Sequence, residues 1–232
     1  MRDEAGNAAA LIGEIRHALA AIDHEIVCVD DGSTDGTAEI LLACAGPDGP
    51  LVLRHETSLG QSAAIRTGVH AASGRLIATL DGDGQNDPAD LPAMISLHGL
   101  ESARGQVVMV MGHRTRRRDT AVKRMASRVA NTIRRSLLHE RTPDSGCGIK
   151  VLDRSLFLDL PYFDHMHRFM PALVLREGGR VVSTAVGHRP RTSGRSKYGN
   201  LDRLVVGIFD LLGVAWLMRR RALPSCVADF RS

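Results

Sequence analysis

Leu76-Ile77-Ala78-Thr79-Leu80-Asp81-Gly82-Asp83-Gly84-Gln85 joins an apolar run of strand length to two carboxylates one residue apart, with glycines between and after them. At a strand end alternate residues point the same way, so Asp81 and Asp83 can converge on one point, and Gln85 continues the alternation with a neutral amide oxygen. Two carboxylates held together repel unless a cation lies between them, and hard divalent ions such as Mg²⁺ or Mn²⁺ favour such oxygen ligands. The chemistry suggested is a metal that holds a diphosphate. A solvated Asp/Gly turn is the simple alternative, and it stays open on this stretch alone. An EF-hand loop is excluded: counted from Asp81, the position that needs Gly holds Asn86 and the one that needs Glu holds Pro92. A hydrolase that forms an aspartyl phosphate would want Thr where Gln85 stands.

Outward from this stretch, strand-like and helix-like segments alternate. Apolar runs predict strands at 25–29, 51–54, 75–80 and 106–111, with helices at 36–44, 61–72 and 88–97 between them. Such alternation argues for an α/β fold with a mostly parallel sheet, in which ligands gather at the carboxyl ends of strands. Two acidic clusters sit at such ends, Asp30-Asp31 and Asp81/Asp83, and that agreement favours a site over a plain turn. Beyond Met111 the pattern predicts a basic amphipathic helix at 120–138, a turn-rich loop at 144–148, a strand at 149–152, a helix at 170–177, a strand at 180–186, a basic Gly-bearing loop at 187–199 and a last helix at 201–221.

The chain has 232 residues, 44% hydrophobic and 3% aromatic, enough for one domain with a core of Leu, Val, Ile and Ala. Its net charge of +4 hides a division: residues 1–112 carry 6 Lys/Arg against 16 Asp/Glu, and residues 113–232 carry 24 against 10. An acidic half suits a metal, and a basic half suits phosphates, an anionic membrane or nucleic acid. Cys28, Cys44, Cys147 and Cys226 form no C-x-x-C pair, which predicts a reducing compartment and no zinc site. No signal peptide is visible and no apolar run reaches the length of a bilayer span.

Taken in order, 2–7 (RDEAGN), 29–37 (VDDGSTDGT), 59–68 (LGQSAAIRTG), the 81–85 turn with Asp87-Pro88, 112–114 (GHR), 144–150 (DSGCGIK), 167–169 (HRF) and 188–199 resemble family 2 glycosyltransferases, in particular the branch of dolichyl-phosphate mannosyltransferase and polyprenyl-phosphate glycosyltransferases. The resemblance implies a GT-A, Rossmann-like fold, a nucleotide-diphosphate sugar donor, Mg²⁺ or Mn²⁺, and a polyprenyl phosphate acceptor at the cytoplasmic face of the membrane, with no nucleic-acid partner. It implies a glycosyltransferase domain over 1–199, with a nucleotide-sugar half at 1–112 and an acceptor half at 113–199. In the helix and tail at 200–232, apolar 208–218 with Trp216 runs into Arg219-Arg220-Arg221, which suits either a helix lying in the membrane interface or one packed on the core. By resemblance, Glu4, Asp30, Asp31 and Asp81 serve the donor, and Asp81, Asp83 and Gln85 the metal. Arg114, Lys123, Ser127, Arg191, Ser196 and Lys197 meet the acceptor phosphate, and Asp83, Arg114 and Arg191 are the catalytic set. A phosphate monoester is already an anion, so it needs positioning by positive charge and no strong base. Lys123 and Ser127, spaced i, i+4, share a helix face; His167-Arg168 line the same site, with no proton-transfer role for His167.

The implied reaction is inverting transfer of a hexose of mannose or glucose type. Rival readings are a family 2 transferase acting on a polysaccharide or other glycan, a nucleotidyltransferase (whose Gly-rich, Lys-bearing start is lacking), and an inactive nucleotide-sugar-binding remnant. The remnant arises because the family opens with an apolar strand before the Asp3-Glu4 loop, and this chain starts inside that loop. The expectation is therefore a truncated sheet with an interior gap between the strands ending at Asp30 and Asp81, and unpaired backbone along it.

Overall fold

The computed structural model describes residues 1–47, 49–114, 134–140, 142–190 and 200–220. The predicted alternation is present: β1 (Val27–Asp31), α2 (Thr37–Ala43), β2 (Leu51–His55), α3 (Gln61–Ala71), β3 (Leu76–Thr79), α4 (Leu91–Ser102) and β4 (Val108–Arg114) follow one another. A helix α1 (Ala5–Ala18) precedes them; β5 (Lys150–Asp153), α5 (Arg154–Asp159), α6 (Met170–Arg176), β6 (Arg180–Val186) and α7 (Asn200–Arg219) follow. The strand predicted at 180–186 matches β6 to the residue, whereas α1 and α5 are helices where no helix is predicted.

The strands form two sheets. β1 and β2 pair in parallel, Val27 opposite Leu51 through Asp31 opposite His55. The second sheet has the order β3-β5-β4-β6, with β4 and β6 parallel and β5 antiparallel to both neighbours. β5 enters from the opposite end because the chain leaves β4 at Arg114 and returns only at Lys150. Alternation along β4 fills both sides of this sheet. Met109 and Met111 enter a core with Leu152, Met170, Leu173 and Val214. Val108 and Val110 face a second core with Leu91, Met94, Ile149 and Val151. α7 thus belongs to the main core through Val214 and Ala215.

β1 and β3 are not paired with each other, so the two sheets share no backbone ladder among the described residues. The sheets are tied at both ends of β1. At one end the Met1 amine donates to Val29 O at 2.6 Å, Asp31 N donates to Met1 O at 2.8 Å, and a Cβ on Gly82 would lie 2.4 Å from Met1 Cγ. At the other, Glu25 Oε1, ahead of β1, accepts from Ser73 N, Ser73 Oγ and Gly74 N, ahead of β3.

Candidate active site

The 81–85 turn leaves β3 two residues after Thr79, and its bend is set by Gly84 at φ +69°. Asp83 Oδ1 accepts from Gln85 N at 3.1 Å, an Asx-type turn that closes the loop. Asp81 is held from two sides. Gln61, first residue of α3, donates from Nε2 to Asp81 Oδ1 at 2.7 Å. On the other side the carboxylate packs on the bare Cα of Gly148, where an added Cβ would lie 2.1 Å from Asp81 Oδ2. Thr79 Oγ1 donates to Gly148 O at 2.7 Å and pins the 144–149 loop to the end of β3.

That loop brings the positive charge. Arg114, at the end of β4, makes a two-pronged pair with Asp144: Nε to Oδ2 at 2.7 Å and Nη2 to Oδ1 at 2.8 Å. Such planar pairing fixes the guanidinium in direction as well as place. Lys150, wholly buried at the start of β5, donates from Nζ to Cys147 O at 2.5 Å. Burial draws its amine below the ordinary lysine range, against the opposing charge of Asp81. Burial likewise holds Asp81 above the ordinary carboxylate range; Lys150 pulls the other way and the charge of Asp83 pushes it further up.

Among the described residues no group of three or more His, Cys, Asp or Glu gathers as a metal cage. Asp81 and Asp83 supply two repelling carboxylates in a cradle kept open by Gly148, and Gln85 adds a neutral amide. That set would suit a hard divalent ion, which favours oxygen ligands of this kind. The residues present fit the ion.

The second acidic cluster is built differently. Asp30 is fully buried; its Oδ1 accepts from Ser33 N at 3.1 Å, while Oδ2 lies 3.2 Å from Arg54 Nε without a hydrogen bond. Asp31 is filled from within, accepting from His55 Nδ1 (2.7 Å), Ser58 Oγ (2.7 Å), Leu59 N (2.9 Å) and Gly60 N (3.0 Å). Burial alone would raise its pKa, but these bonds outweigh it and bring it down to about 2. Glu4 Oε2 accepts from Asn7 Nδ2 at 2.7 Å, and Glu4 N donates to Thr37 Oγ1, so the 2–7 and 29–37 stretches form one knot.

Of the residues named from sequence, Asp81 and Arg114 meet the 144–149 loop at Gly148 and Asp144, Asp83 and Gln85 follow Asp81 in its turn, and Glu4, Asp30 and Asp31 form a second cluster. Lys123, Ser127, Arg191, Ser196 and Lys197 lie outside the described residues. His167 is half-buried: its Nδ1 lies 2.8 Å from Ser62 Oγ, which also accepts from His167 N at 3.2 Å. Burial, then Arg168, lowers its pKa to about 3 and keeps it neutral. Sequence reasoning assigned no role to Gln61, Asp144, Gly148 and Lys150. The 59–68 and 144–150 stretches contain them, but only the folded contacts show what each touches.

The fold is that of GT-A glycosyltransferases. Mannosyl-3-phosphoglycerate synthase from Rubrobacter xylanophilus superposes with a TM-score of 0.73 at 18% identity, covering 98% of this chain and 75% of that one. Glucosyl-3-phosphoglycerate synthase from Mycobacterium tuberculosis, in complex with Mg²⁺ and UDP, gives 0.67 at 20% identity, covering 97% and 78%. Residues 5–160 match the model of glycosyl transferase family 2, and the chain belongs to that family. It is 36% identical over 222 residues to dodecaprenyl-phosphate galacturonate synthase of Rhizobium johnstonii, across 92% of this chain and 64% of that protein. It is 32% identical over 191 residues to undecaprenyl-phosphate 4-deoxy-4-formamido-L-arabinose transferase of Yersinia pestis, across 82% and 57%. The chain thus spans about three fifths of the length of these curated relatives.

Proposed function

We propose that this chain carries the catalytic domain of an inverting transferase that moves a sugar, of the hexose class, from a nucleotide-diphosphate donor to a polyprenyl phosphate at the cytoplasmic face of a membrane. The observation that carries the reading is one loop that joins an acidic turn to a fixed arginine across β5: Asp81, after β3, packs on Gly148, and Arg114, at the end of β4, pairs with Asp144. The two relatives, both named as polyprenyl-phosphate sugar enzymes, support the acceptor class.

In this reading Asp81, Asp83 and Gln85 hold a divalent ion, which supplies charge neutralisation to the departing nucleoside diphosphate. Asp30, with a buried oxygen short of a hydrogen bond, takes the donor's base and ribose together with Glu4 and the adjacent Asp31. Arg114, with Lys123, Ser127, Arg191, Ser196 and Lys197, draws in and orients the acceptor phosphate, whose own charge makes it the nucleophile. His167, neutral and bonded to Ser62, takes no proton from it.

The test is product formation from labelled GDP-mannose, UDP-glucose and UDP-galacturonate with Mn²⁺ and a short polyprenyl phosphate. A lipid-extractable product of inverted anomeric configuration is expected, and Asp83→Ala should lower turnover by at least about a thousandfold. Label appearing in a glycan in place of the lipid would move the acceptor to the rival class, and unchanged turnover in Asp83→Ala would remove the metal assignment.

A further inference from the structure

Arg134 lies in the helical residues 134–138, which Leu138 anchors in the main core. Its guanidinium is enclosed by protein groups. Nε lies 3.1 Å from Glu140 Oε1, and Nη2 donates to Glu140 Oε2 at 3.1 Å. Nη1 donates to Ser145 Oγ at 2.6 Å, and Nη2 donates to the carbonyl of Arg168 as well. The group also lies 4.9 Å from the centre of the Phe169 ring. Glu140 is buried and takes a further bond from Thr142 Oγ1 at 2.6 Å. Both ends of this contact lead to the candidate site. Ser145 adjoins Asp144, whose carboxylate grips Arg114. Arg168 adjoins His167, whose N donates to Ser62 Oγ at 3.2 Å, and Ser62 adjoins the Gln61 that holds Asp81.

We propose that Arg134 is a positioning residue for Arg114: it anchors Ser145 and so holds the Asp144 carboxylate in the place that fixes the Arg114 guanidinium. The proposal rests on the functional reading above. With its side chain only 15% exposed and its nitrogens on protein partners, Arg134 acts through the loop and not on a substrate. Apolar side chains of similar volume often fill such a space with equal or greater stability, so what the buried ion pair adds is direction. Glu140 takes the Nε–Nη2 edge of the planar fork, which aims Nη1 at Ser145. Slack at Ser145 passes to its neighbour Asp144, and from there to the cation assigned to the acceptor phosphate. Misplacement of such a group by an ångström is costly in bimolecular transfer.

The experiment compares wild type, Ser145→Ala, Ser145→Thr and the double variant Arg134→Met with Glu140→Met in the full chain. The double change avoids leaving Glu140 as an unpaired buried charge, so it should melt close to wild type. It should still raise the acceptor KM about tenfold or more, with donor KM within about twofold. Ser145→Ala, which deletes only the contact to the loop, should show a smaller shift of the same kind, and Ser145→Thr, which keeps the hydroxyl, should restore wild-type values. A second readout needs no substrate: labelling of arginines by phenylglyoxal, followed by peptide mass spectrometry. Arg114 should react severalfold faster in Ser145→Ala and in the double variant, with the exposed Arg75 as an unchanged reference. Unchanged labelling of Arg114, equal rises in donor and acceptor KM, or no rise in either would overturn the proposal. If wild type transfers nothing to polyprenyl phosphate yet Arg114 labels faster in both variants, the functional reading fails and the positioning role stands.

Discussion

Asp31 collects hydrogen bonds from His55, Ser58, Leu59 N and Gly60 N, while its neighbour Asp30 takes one from Ser33 N and keeps Oδ2 beside Arg54. Adjacent strand residues point to opposite faces, so the same side chain meets two different environments. The sign of the pH effect for Asp31 follows from its pKa, depressed to about 2 from the ordinary aspartate value of 3.8. Its stabilisation is complete above the unfolded value and is lost as pH falls through the folded one. Asp31→Asn is expected to cost about 2 kcal/mol near neutral pH and to flatten the loss of stability between pH 4 and pH 2. Urea unfolding at pH 7 and across that acid limb checks both. The acidic residues were legible in sequence because carboxylates at strand ends are few and placed by alternation. What fills Asp31 was not, since its donors lie 24 to 29 positions away in a turn fixed by tertiary contact.

At the scale of elements, α7 has two characters. Val214 and Ala215 are buried in the main core, and Arg176 Nε donates to Leu217 O. Val206, Phe209, Leu212 and Trp216, at helical spacing, are exposed, with the Arg220 guanidinium 5.7 Å from the centre of the Trp216 ring. No described helix is long and apolar enough to cross a membrane. An apolar stripe ending in arginines suits the headgroup boundary of an anionic bilayer, which completes the proposed setting for a lipid acceptor. Vesicles containing anionic lipid should blue-shift the fluorescence of Trp216, the one tryptophan of the chain, and neutral vesicles should do so less. Phe209→Ser should weaken this binding severalfold, read by vesicle co-sedimentation. The strands and the last helix were readable from apolar period. α1 was not: its N-cap residue Glu4 makes no side-chain capping bond, so the usual start signal is lacking. Its burial of Ala8 and Ile12 is visible only once Cys28 of β1 and Leu41 of α2 pack against them. α5, with six residues, is too short for a period to show.

On the scale of the whole molecule, the acidic first half and basic second half come together at the 144–149 loop, where Arg114 and Lys150 sit beside Asp81 and Asp144. Charge division along the sequence announced two kinds of chemistry. It could not say that β5 would run antiparallel between β3 and β4 and deliver Gly148 and Lys150 beneath the acidic turn. That placement depends on where the chain re-enters the sheet, a long-range choice with no local signature. The sheets themselves carry a further consequence. β4 and β5 hold fully buried Met109, Met111, Val151 and Leu152 inside a four-stranded sheet, whereas β1 and β2 form a pair whose second strand has no buried residue. Without backbone pairing from β1 to β3, opening of the smaller sheet need not disrupt the larger one. Native-state amide hydrogen exchange should therefore resolve two cooperative units, with β4 and β5 amides exchanging only through global unfolding and β1–β2 amides through a cheaper, sub-global event. A single exchange free energy across all six strands would show that side chains alone weld the two sheets into one.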